Sequence, residues 1–467
     1  MSGLRIESLP SCEPIEDKFP KSGRPTQHRD GVSGPRPTQG WPGGPIKRPD
    51  GKHGIAARHV IHGASSLSGT FGGIGSELIH RPTHSRRRAT AIGLGFRVMT
   101  VAIDHGPGAP RRQRSTSHVI SGVDLFCGVG GLSDGLQKAG ILICAGIDID
   151  PACAYPFETN IESPFIERDI RDVSGHQIDE LWIEGSVKLL AGCAPCQPFS
   201  PYRRGVDTTS DSKWPLLEEF GRLVDECKPD LVTMENVPRI GKSKVFLEFV
   251  ELLRAAGYHV DFRSCYGPHY GLPQHRRRLL LVASQLGEIS VPAGHQDEDH
   301  FPTVRDAIAS LPPIVSGETH DEDPLHTSRT LSEVNLERIR ASAPGGTWQD
   351  WPEELRAPCH RRTSGSTFLN VYSRMAWDEP APTITTLATN FGAGRFGHPE
   401  QDRPISLREA ALLQGFDPDY AFVRATERPQ LAPITRLIGN AVPPPLGFAI
   451  GMELMEHVKN HRSTEEA

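Results

Sequence analysis

The sequence lacks any apolar run long enough to cross a bilayer, for which about 18 consecutive apolar residues are needed. Its first thirty residues contain several prolines and acidic residues and no apolar core of the kind that a signal peptide requires. We therefore expect a cytoplasmic protein that does not enter the membrane.

A disulfide framework and a zinc site are also not indicated. The nine cysteines are odd in number and scattered along a 467-residue chain, which favours reduced thiols. Cys193 and Cys196 form a C-x-x-C pair, but a second pair or histidines at ligand spacing would be needed to complete a zinc site, and the sequence has neither. We predict no metal site.

Overall positive charge is missing as well, since the net charge is -6. Residues 1–115 carry 18 Lys and Arg against 8 Asp and Glu, and the remainder carries 33 against 49. An acidic body does not by itself indicate nucleic-acid binding. Any such binding would have to use local basic clusters, namely Arg203-Arg204, Arg276-Arg277-Arg278 and Arg361-Arg362.

Residues 1–115 are rich in Gly, Pro, Arg, His and Ser and show almost no apolar periodicity. Such a segment buries too little surface to offset its ordering entropy, so we predict a disordered basic N-terminal segment. Two alternatives stay open: a basic tail that seeks nucleic acid, and a translation start at Met99.

Residues 116–285 alternate short apolar strands with helical stretches. This alternation predicts an α/β domain with a doubly wound, mostly parallel sheet and helices on both faces. The predicted strands are 122–127, 141–149, 165–170, 187–194, 230–237, 258–266 and 278–283, and the predicted helices are 131–139, 151–159, 216–226 and 244–256. The last two strands have no helix between them and could pair antiparallel.

The alternation stops after residue 285. Residues 286–402 are rich in Pro, Gly, His and Trp and predict a second, smaller and loop-rich domain. Helical patterns return at 407–414 and 446–458, so residues 403–467 are expected to pack back on the first domain.

A glycine-rich turn follows the first predicted strand, in the segment 124–133. Gly128, Gly130 and Gly131 allow the backbone to approach a ligand closely, and the helix that begins there offers unpaired N–H groups. The acidic Asp148 after the second strand is placed to accept hydrogen bonds from ribose hydroxyls. The spacing differs from G-x-G-x-x-G, so we predict an adenosine-type cofactor rather than a dinucleotide.

Chemically reactive residues follow other strands of the same sheet. Cys196 stands in a proline-flanked loop after the fourth strand, where it could be presented as a nucleophile, whereas we expect Cys193 to be a packing residue. Glu235 ends the fifth strand. Arg276 and Arg278 alternate at the start of the seventh strand, so both could face a ligand that carries oxygens or phosphates.

Taken in order, these segments resemble the cytosine-5 DNA methyltransferase family. The matching motifs are 124–133, Pro195-Cys196-Gln197, Glu235-Asn236-Val237, Gln274-x-Arg276-x-Arg278, 403–415 and Gly439-Asn440-Ala441-Val442-Pro443-Pro444. The resemblance covers roughly residues 119–460, excluding much of 286–402. It implies S-adenosylmethionine as methyl donor and the fold of S-adenosylmethionine-dependent methyltransferases.

The resemblance also implies residue roles. The cofactor would be held by Phe126, Gly128, Gly130, Gly131, Asp148, Ile149, Asp169, Pro195 and Asn440. In this set Asp148 would bind the ribose, Asp169 the adenine amino group, and Ile149 would stand where the family often has an aromatic residue. The catalytic residues would be Cys196, Glu235, Arg276 and Arg278. Cys196 would add to carbon 6 of a flipped-out cytosine, Glu235 would bind its nitrogen 3 and amino group, Arg278 its oxygen 2, and Arg276 would steady the loop or a phosphate.

Further expectations concern the substrate and partners. Residues 198–212 would form a flexible lid. The sequence of a double-stranded DNA would be read from residues 286–402, with Arg329, Arg338, Arg340, Trp348, Trp351, Arg361, Arg362, Asn370 and Arg374 as candidates. We expect a monomer in a restriction–modification system, with a cognate endonuclease that acts on the same site without a stable complex. The alternatives are a tRNA methyltransferase of the same family, whose Cys-Phe-Thr signature is absent here, a non-catalytic DNA-binding homologue, and a thiol redox protein.

Overall fold

Seven strands of the described residues form one sheet. The computed structural model describes residues 120–195, 215–362, 365 and 367–465. The strands are β1 (Ile120–Leu125), β2 (Leu142–Asp148), β3 (Phe165–Glu167), β4 (Val187–Gly192), β5 (Leu231–Asn236), β6 (His259–Tyr266) and β7 (Arg277–Ser284). Their order is β3-β2-β1-β4-β5-β7-β6. The first five are parallel, and β7 runs antiparallel to both β5 and β6.

This arrangement confirms the predicted doubly wound, mostly parallel sheet and the antiparallel pairing of its last two strands. In the described part of the chain the helices are α1 (Gly131–Lys138), α2 (Ala154–Ile161), α3 (Gly175–Asp179), α4 (Pro215–Cys227), α5 (Lys244–Ala255), α6 (Val304–Ile308), α7 (Glu333–Arg340), α8 (Leu407–Leu413), α9 (Leu431–Asn440) and α10 (Pro444–Glu465). The sequence pattern did not predict α3, α6, α7 or α9. Of these, α3 and α6 have five residues each and α7 is weakly amphipathic, whereas α9 is amphipathic and was overlooked.

Helices cover both faces of the sheet. On one face α4 and α5 bury Phe220, Phe246 and Phe249 against the inner strands. On the other face α1 packs against α10, so the C-terminal segment returns to the first domain as predicted. This helix contact is close because glycines line it: a Cβ on Gly135 would lie 2.2 Å from the carbonyl oxygen of Pro444.

Two further apolar clusters lie in residues 286–441. One contains Met375, Ile384 and Leu407 and also buries Val129 and Cys153 from the region around the glycine turn. The other is a small cluster that contains Trp348, Trp351 and Phe391. The exact domain boundaries stay a prediction, and the predicted basic segment 1–115 lies outside the described residues.

A buried ion pair lies at the start of the C-terminal segment. Arg403 makes a two-pronged contact with Glu409, with both N–H to oxygen distances 2.7 Å, and both side chains are almost fully buried. Glu409 also accepts the backbone N–H of Ser406 at 2.7 Å, which completes the cap of α8.

Within the described residues, no helix combines the length and the apolar character that crossing a membrane requires.

Candidate active site

The glycine turn and the loop that leads to Cys196 lie side by side. They follow β1 and β4, which are neighbours at the point where the strand order reverses, and open α/β sheets bind ligands at that point. Leu125 at the end of β1 pairs with Gly192 at the end of β4, and the N–H of Cys193 donates to the carbonyl of Leu125 at 3.2 Å. The predicted cofactor turn and nucleophile loop therefore leave the sheet together.

The glycines of the turn have different tasks. Phe126, Gly128 and Gly130 have φ angles of 56°, 53° and 91°, in the left-handed region that favours glycine. A Cβ on Gly128 would meet no heavy atom within 4 Å, so this glycine borders open space where a ligand can approach. A Cβ on Gly131 would lie 2.1 Å from the carbonyl oxygen of Val442, so Gly131 is required by packing against the C-terminal segment.

Asp148 at the end of β2 supports the turn. Its two carboxylate oxygens accept the backbone N–H groups of Gly128 and Asp150, each at 2.9 Å. Burial raises the pKa of Asp148 above its usual value, although these two hydrogen bonds act in the opposite direction. The next residue, Ile149, is 64% exposed, which is high for an isoleucine and leaves an apolar surface beside the turn.

Asp169, expected to bind an adenine amino group, already has a partner. Arg171 donates to its carboxylate through the side-chain Nε at 2.9 Å and through its backbone N–H at 3.0 Å. These hydrogen bonds lower the pKa of Asp169 to about 2, so the group stays charged at neutral pH. A ligand at Asp169 would have to share the carboxylate with Arg171.

Asp124, the first residue of the turn motif, is a buried acid under the turn. Ser133 donates to one of its oxygens at 2.7 Å, whereas the other oxygen has no hydrogen-bond partner among the described residues. Burial raises the pKa of Asp124 to about 7, with the hydrogen bond from Ser133 acting in the opposite direction. The sequence motif contained this residue, but its burial could not be seen from the pattern.

Glu235 and Arg278 meet at the edge of the sheet where β5 ends. The carboxylate is only 3% exposed, and Nε of Arg278 lies 2.8 Å from its Oε1. That N–H is not aimed at Oε1, which accepts no hydrogen bond from the described residues. Sγ of Cys193 lies 3.0 Å from Oε2 and donates to it. Cys193 packs against an apolar core cluster, as expected, and its thiol in addition contacts the predicted catalytic acid.

Arg276 is buried away from solvent, contrary to the expectation that it faces a ligand alongside Arg278. Its guanidinium donates to the carbonyl oxygens of Ile384, Gly439 and Ala441 at 3.0, 3.5 and 3.4 Å. Gly439 and Ala441 flank Asn440, which is itself exposed at the end of α9. Burial and the charge of Arg278 lower the pKa of Arg276 to about 9, which still leaves it charged at neutral pH.

Two glutamines that sequence reasoning did not single out complete this network. Gln274 accepts the N–H of Ile384 at 2.8 Å and donates to Gln414 at 2.9 Å, and Gln414 donates to the carbonyl of Ala441 at 2.7 Å. Both side chains are fully buried. Their place inside the motifs 274–278 and 403–415 was the available signal.

Several candidates for base reading have structural tasks instead. Trp348 and Trp351 are buried in the aromatic cluster, and Arg374 is buried with its Nε donating to the carbonyls of Ile339 and Ser342, each at 3.0 Å. Arg361 and Arg362 are exposed. The structure thus narrows the candidates to exposed side chains.

Cys196 and the predicted lid 198–212 lie outside the described residues. The described loop ends at Pro195, which is exposed and follows the buried Ala194. Asn236 fixes this loop by donating from its side-chain amide to the carbonyl of Ala194 at 2.9 Å.

These features define a protein of the S-adenosylmethionine-dependent methyltransferase fold class. The family model described as "C-5 cytosine-specific DNA methylase" matches residues 120–456. The chain therefore belongs to this family and is a DNA (cytosine-5)-methyltransferase.

Individual relatives agree with this assignment. The chain is 46% identical to the type II methylase M.HgiDII of Herpetosiphon aurantiacus, over 71% of this chain and 94% of that protein. It is 29% identical to the type II methyltransferase M.Eco47II of Escherichia coli, over 74% of this chain and 81% of that protein. Among solved structures, an E. coli prophage protein described as a DNA modification methyltransferase matches with a TM-score of 0.55 and 23% identity, over 73% of this chain and 99% of that one. This last similarity concerns the fold.

Proposed function

We propose that the enzyme transfers the methyl group of S-adenosylmethionine to carbon 5 of a flipped-out cytosine in duplex DNA, with Cys196 as the nucleophile. The observation that carries this proposal is the common edge of the sheet. The turn held by Asp148, the loop that continues to Cys196, and the pair Glu235–Arg278 all follow or begin strands at that edge.

The residues at the turn suit the methyl donor. Open space over Gly128 admits a ligand against the backbone, and the exposed Ile149 offers an apolar contact for an adenine ring. Asp148 would bind ribose hydroxyls, with Phe126, Gly130, Asp169, Pro195 and Asn440 as the further contacts that the family resemblance implies. When bound, S-adenosylmethionine supplies an electrophilic methyl group on a sulfonium.

Cytosine carbon 5 is a poor nucleophile, and Cys196, Glu235 and Arg278 would make it more nucleophilic. The Cys196 thiolate adds to carbon 6 and forms a C–S bond, which moves the electrons of the carbon 5–carbon 6 double bond into the ring and toward nitrogen 3. Glu235, in its protonated form, donates to nitrogen 3 and neutralises the charge that develops there. Arg278 holds oxygen 2. Carbon 5 then takes the methyl group.

Release of the product breaks the C–S bond. Solvent water takes the carbon 5 proton, and the electron pair of that C–H bond forms the carbon 5–carbon 6 double bond again. The C–S bond breaks to regenerate the Cys196 thiolate, and nitrogen 3 returns its proton to Glu235. These atoms are inaccessible in a stacked base, so the cytosine must leave the duplex at a cost of about a few kcal/mol.

The biological setting is also proposed. The two type II relatives suggest a restriction–modification role, with a monomeric enzyme acting on DNA in the cytoplasm and a cognate endonuclease that reads the same site. Exposed residues of 286–402, such as Arg361, Arg362 and Asn370, would read or position the DNA.

The direct test is incubation with labelled S-adenosylmethionine and either mixed-sequence duplex DNA or tRNA. We expect label in DNA, recovered as 5-methylcytosine after hydrolysis. Label in tRNA alone would contradict the DNA assignment and support the tRNA branch of the family. Bisulfite sequencing of the methylated DNA would then give the target sequence.

A further inference from the structure

Cys193 connects the nucleophile loop to the catalytic acid. It is the first residue after β4, it is half-buried, and its Sγ lies 3.0 Å from Oε2 of Glu235. Its backbone N–H is held by the carbonyl of Leu125 at 3.2 Å, so the position of the thiol is fixed from the main chain.

A second link lies beside the first. The side-chain amide of Asn236, 1% exposed, donates to the carbonyl of Ala194 at 2.9 Å. Two consecutive loop residues are thus tied to the two consecutive residues that end β5. Cys196 follows Cys193 by three positions, a span of at most about 11 Å. The start of the loop that leads to Cys196 is therefore anchored to the strand that carries Glu235.

The thiol also acts on the orientation of the carboxylate. The terminal torsion of a glutamate is broad and needs an outside contact to fix it. Arg278 approaches Oε1 at 2.8 Å without aiming its N–H at that oxygen, so it contributes charge rather than direction. The S–H of Cys193 supplies a directed hydrogen bond to Oε2. Because a carboxylate oxygen has two lone pairs, Oε2 can still form a hydrogen bond with a bound cytosine.

We propose that Cys193 is a positioning residue for Glu235: its thiol donates a hydrogen bond that sets the plane of the carboxylate. The proposal rests on the methyltransferase function described above. It concerns the thiol as a donor, so a hydroxyl at this position should replace it and a methyl group should not.

The experiment compares Cys193→Ala and Cys193→Ser in the full chain, with Cys144→Ala as the matched control. Cys144 is the other half-buried thiol among the described residues and lies on β2, outside the site. Single-turnover methylation of duplex DNA measures the chemical step apart from product release. Thermal unfolding of each variant, with rates per folded enzyme, separates positioning from stability.

We expect Cys193→Ala to lower the single-turnover rate about tenfold, which corresponds to about 1.4 kcal/mol, with the KM for S-adenosylmethionine unchanged. Cys193→Ser should recover most of that loss, and Cys144→Ala should show none.

Two results would overturn the proposal while the proposed function stands: a Cys193→Ala variant with the single-turnover rate of the wild type, or a serine variant as slow as the alanine variant. The second result would assign the effect to thiol size rather than donation. A wild-type enzyme that forms no 5-methylcytosine would instead overturn the proposed function itself.

Discussion

Replacing Arg276 with methionine tests whether this arginine acts on structure or on substrate. Its guanidinium makes one ordinary hydrogen bond, to Ile384 at 3.0 Å, and three long ones, to Gln274 at 3.4 Å, Gly439 at 3.5 Å and Ala441 at 3.4 Å. Losing a bond from a charged donor costs about 1.5–3 kcal/mol, and we assign roughly 0.5 kcal/mol to each long bond. Removing a buried charge returns part of this as relief of desolvation.

The expected net loss is about 2–4 kcal/mol, which at about 2 °C per kcal/mol lowers Tm by about 4–8 °C. Differential scanning calorimetry measures this. Arg277→Met is the matched control, because Arg277 is exposed and its main described contact is with the ring of Tyr266, 4.4 Å from the ring centroid. That contact is worth about 0.5–1 kcal/mol. Equal Tm values for the two variants would refute the assignment of Arg276 to the buried network.

Three further predictions concern the cofactor turn. Gly128→Ala should mainly weaken S-adenosylmethionine binding, since its Cβ enters open space at a φ of 53° that costs about 1–2 kcal/mol. Gly131→Ala should mainly lower Tm, because its Cβ would lie 2.1 Å from a carbonyl oxygen. The reverse pattern would contradict the assignment of Gly128 to binding and Gly131 to packing. Asp148→Asn should lower S-adenosylmethionine affinity by about 10-fold or more in titration calorimetry, because a carboxylate that accepts two backbone N–H groups is replaced by an amide that can satisfy only one; a change below twofold would count against a ribose site. Asp124 has a pKa of about 7 in the folded state against its usual 3.8, so its contribution to stability is complete below pH 4 and is lost as the pH rises toward and through 7. Asp124→Asn should therefore gain stability relative to the wild type between pH 5 and pH 8 in denaturant titrations. A stability difference that is independent of pH would contradict the raised pKa of Asp124.

The fold was predictable because several inner strands of the sheet contain short buried apolar runs. Residues 189–191 of β4 and 279–283 of β7 are such runs. The helix Leu431–Asn440 was missed although its apolar residues Ile434, Leu437 and Ile438 recur at helical spacing and are buried. It packs against Thr389 and Ile384. Its position depends on contacts with residues about 45 positions earlier.

The contacts among the candidate site residues were only partly predictable. Motif order grouped Glu235, Arg276 and Arg278, and alternation along a strand suggested that both arginines face a ligand. The structure separates them, because Arg276 precedes β7 and turns toward the carbonyls around Asn440 while Arg278 reaches Glu235. The contact between the thiol of Cys193 and Glu235 was also missed, because the two residues lie 42 positions apart in the sequence.

The most direct test of the central claim uses duplex DNA in which the target cytosine is replaced by 5-fluorocytosine. Fluorine at carbon 5 cannot leave as a proton does, so the C–S adduct persists after methyl transfer. The wild-type enzyme with S-adenosylmethionine should form a covalent complex that survives denaturing electrophoresis, and peptide mapping should place the adduct on Cys196. Cys196→Ser should form none. A stable complex in that variant, or an adduct mapped to another residue, would contradict Cys196 as the nucleophile.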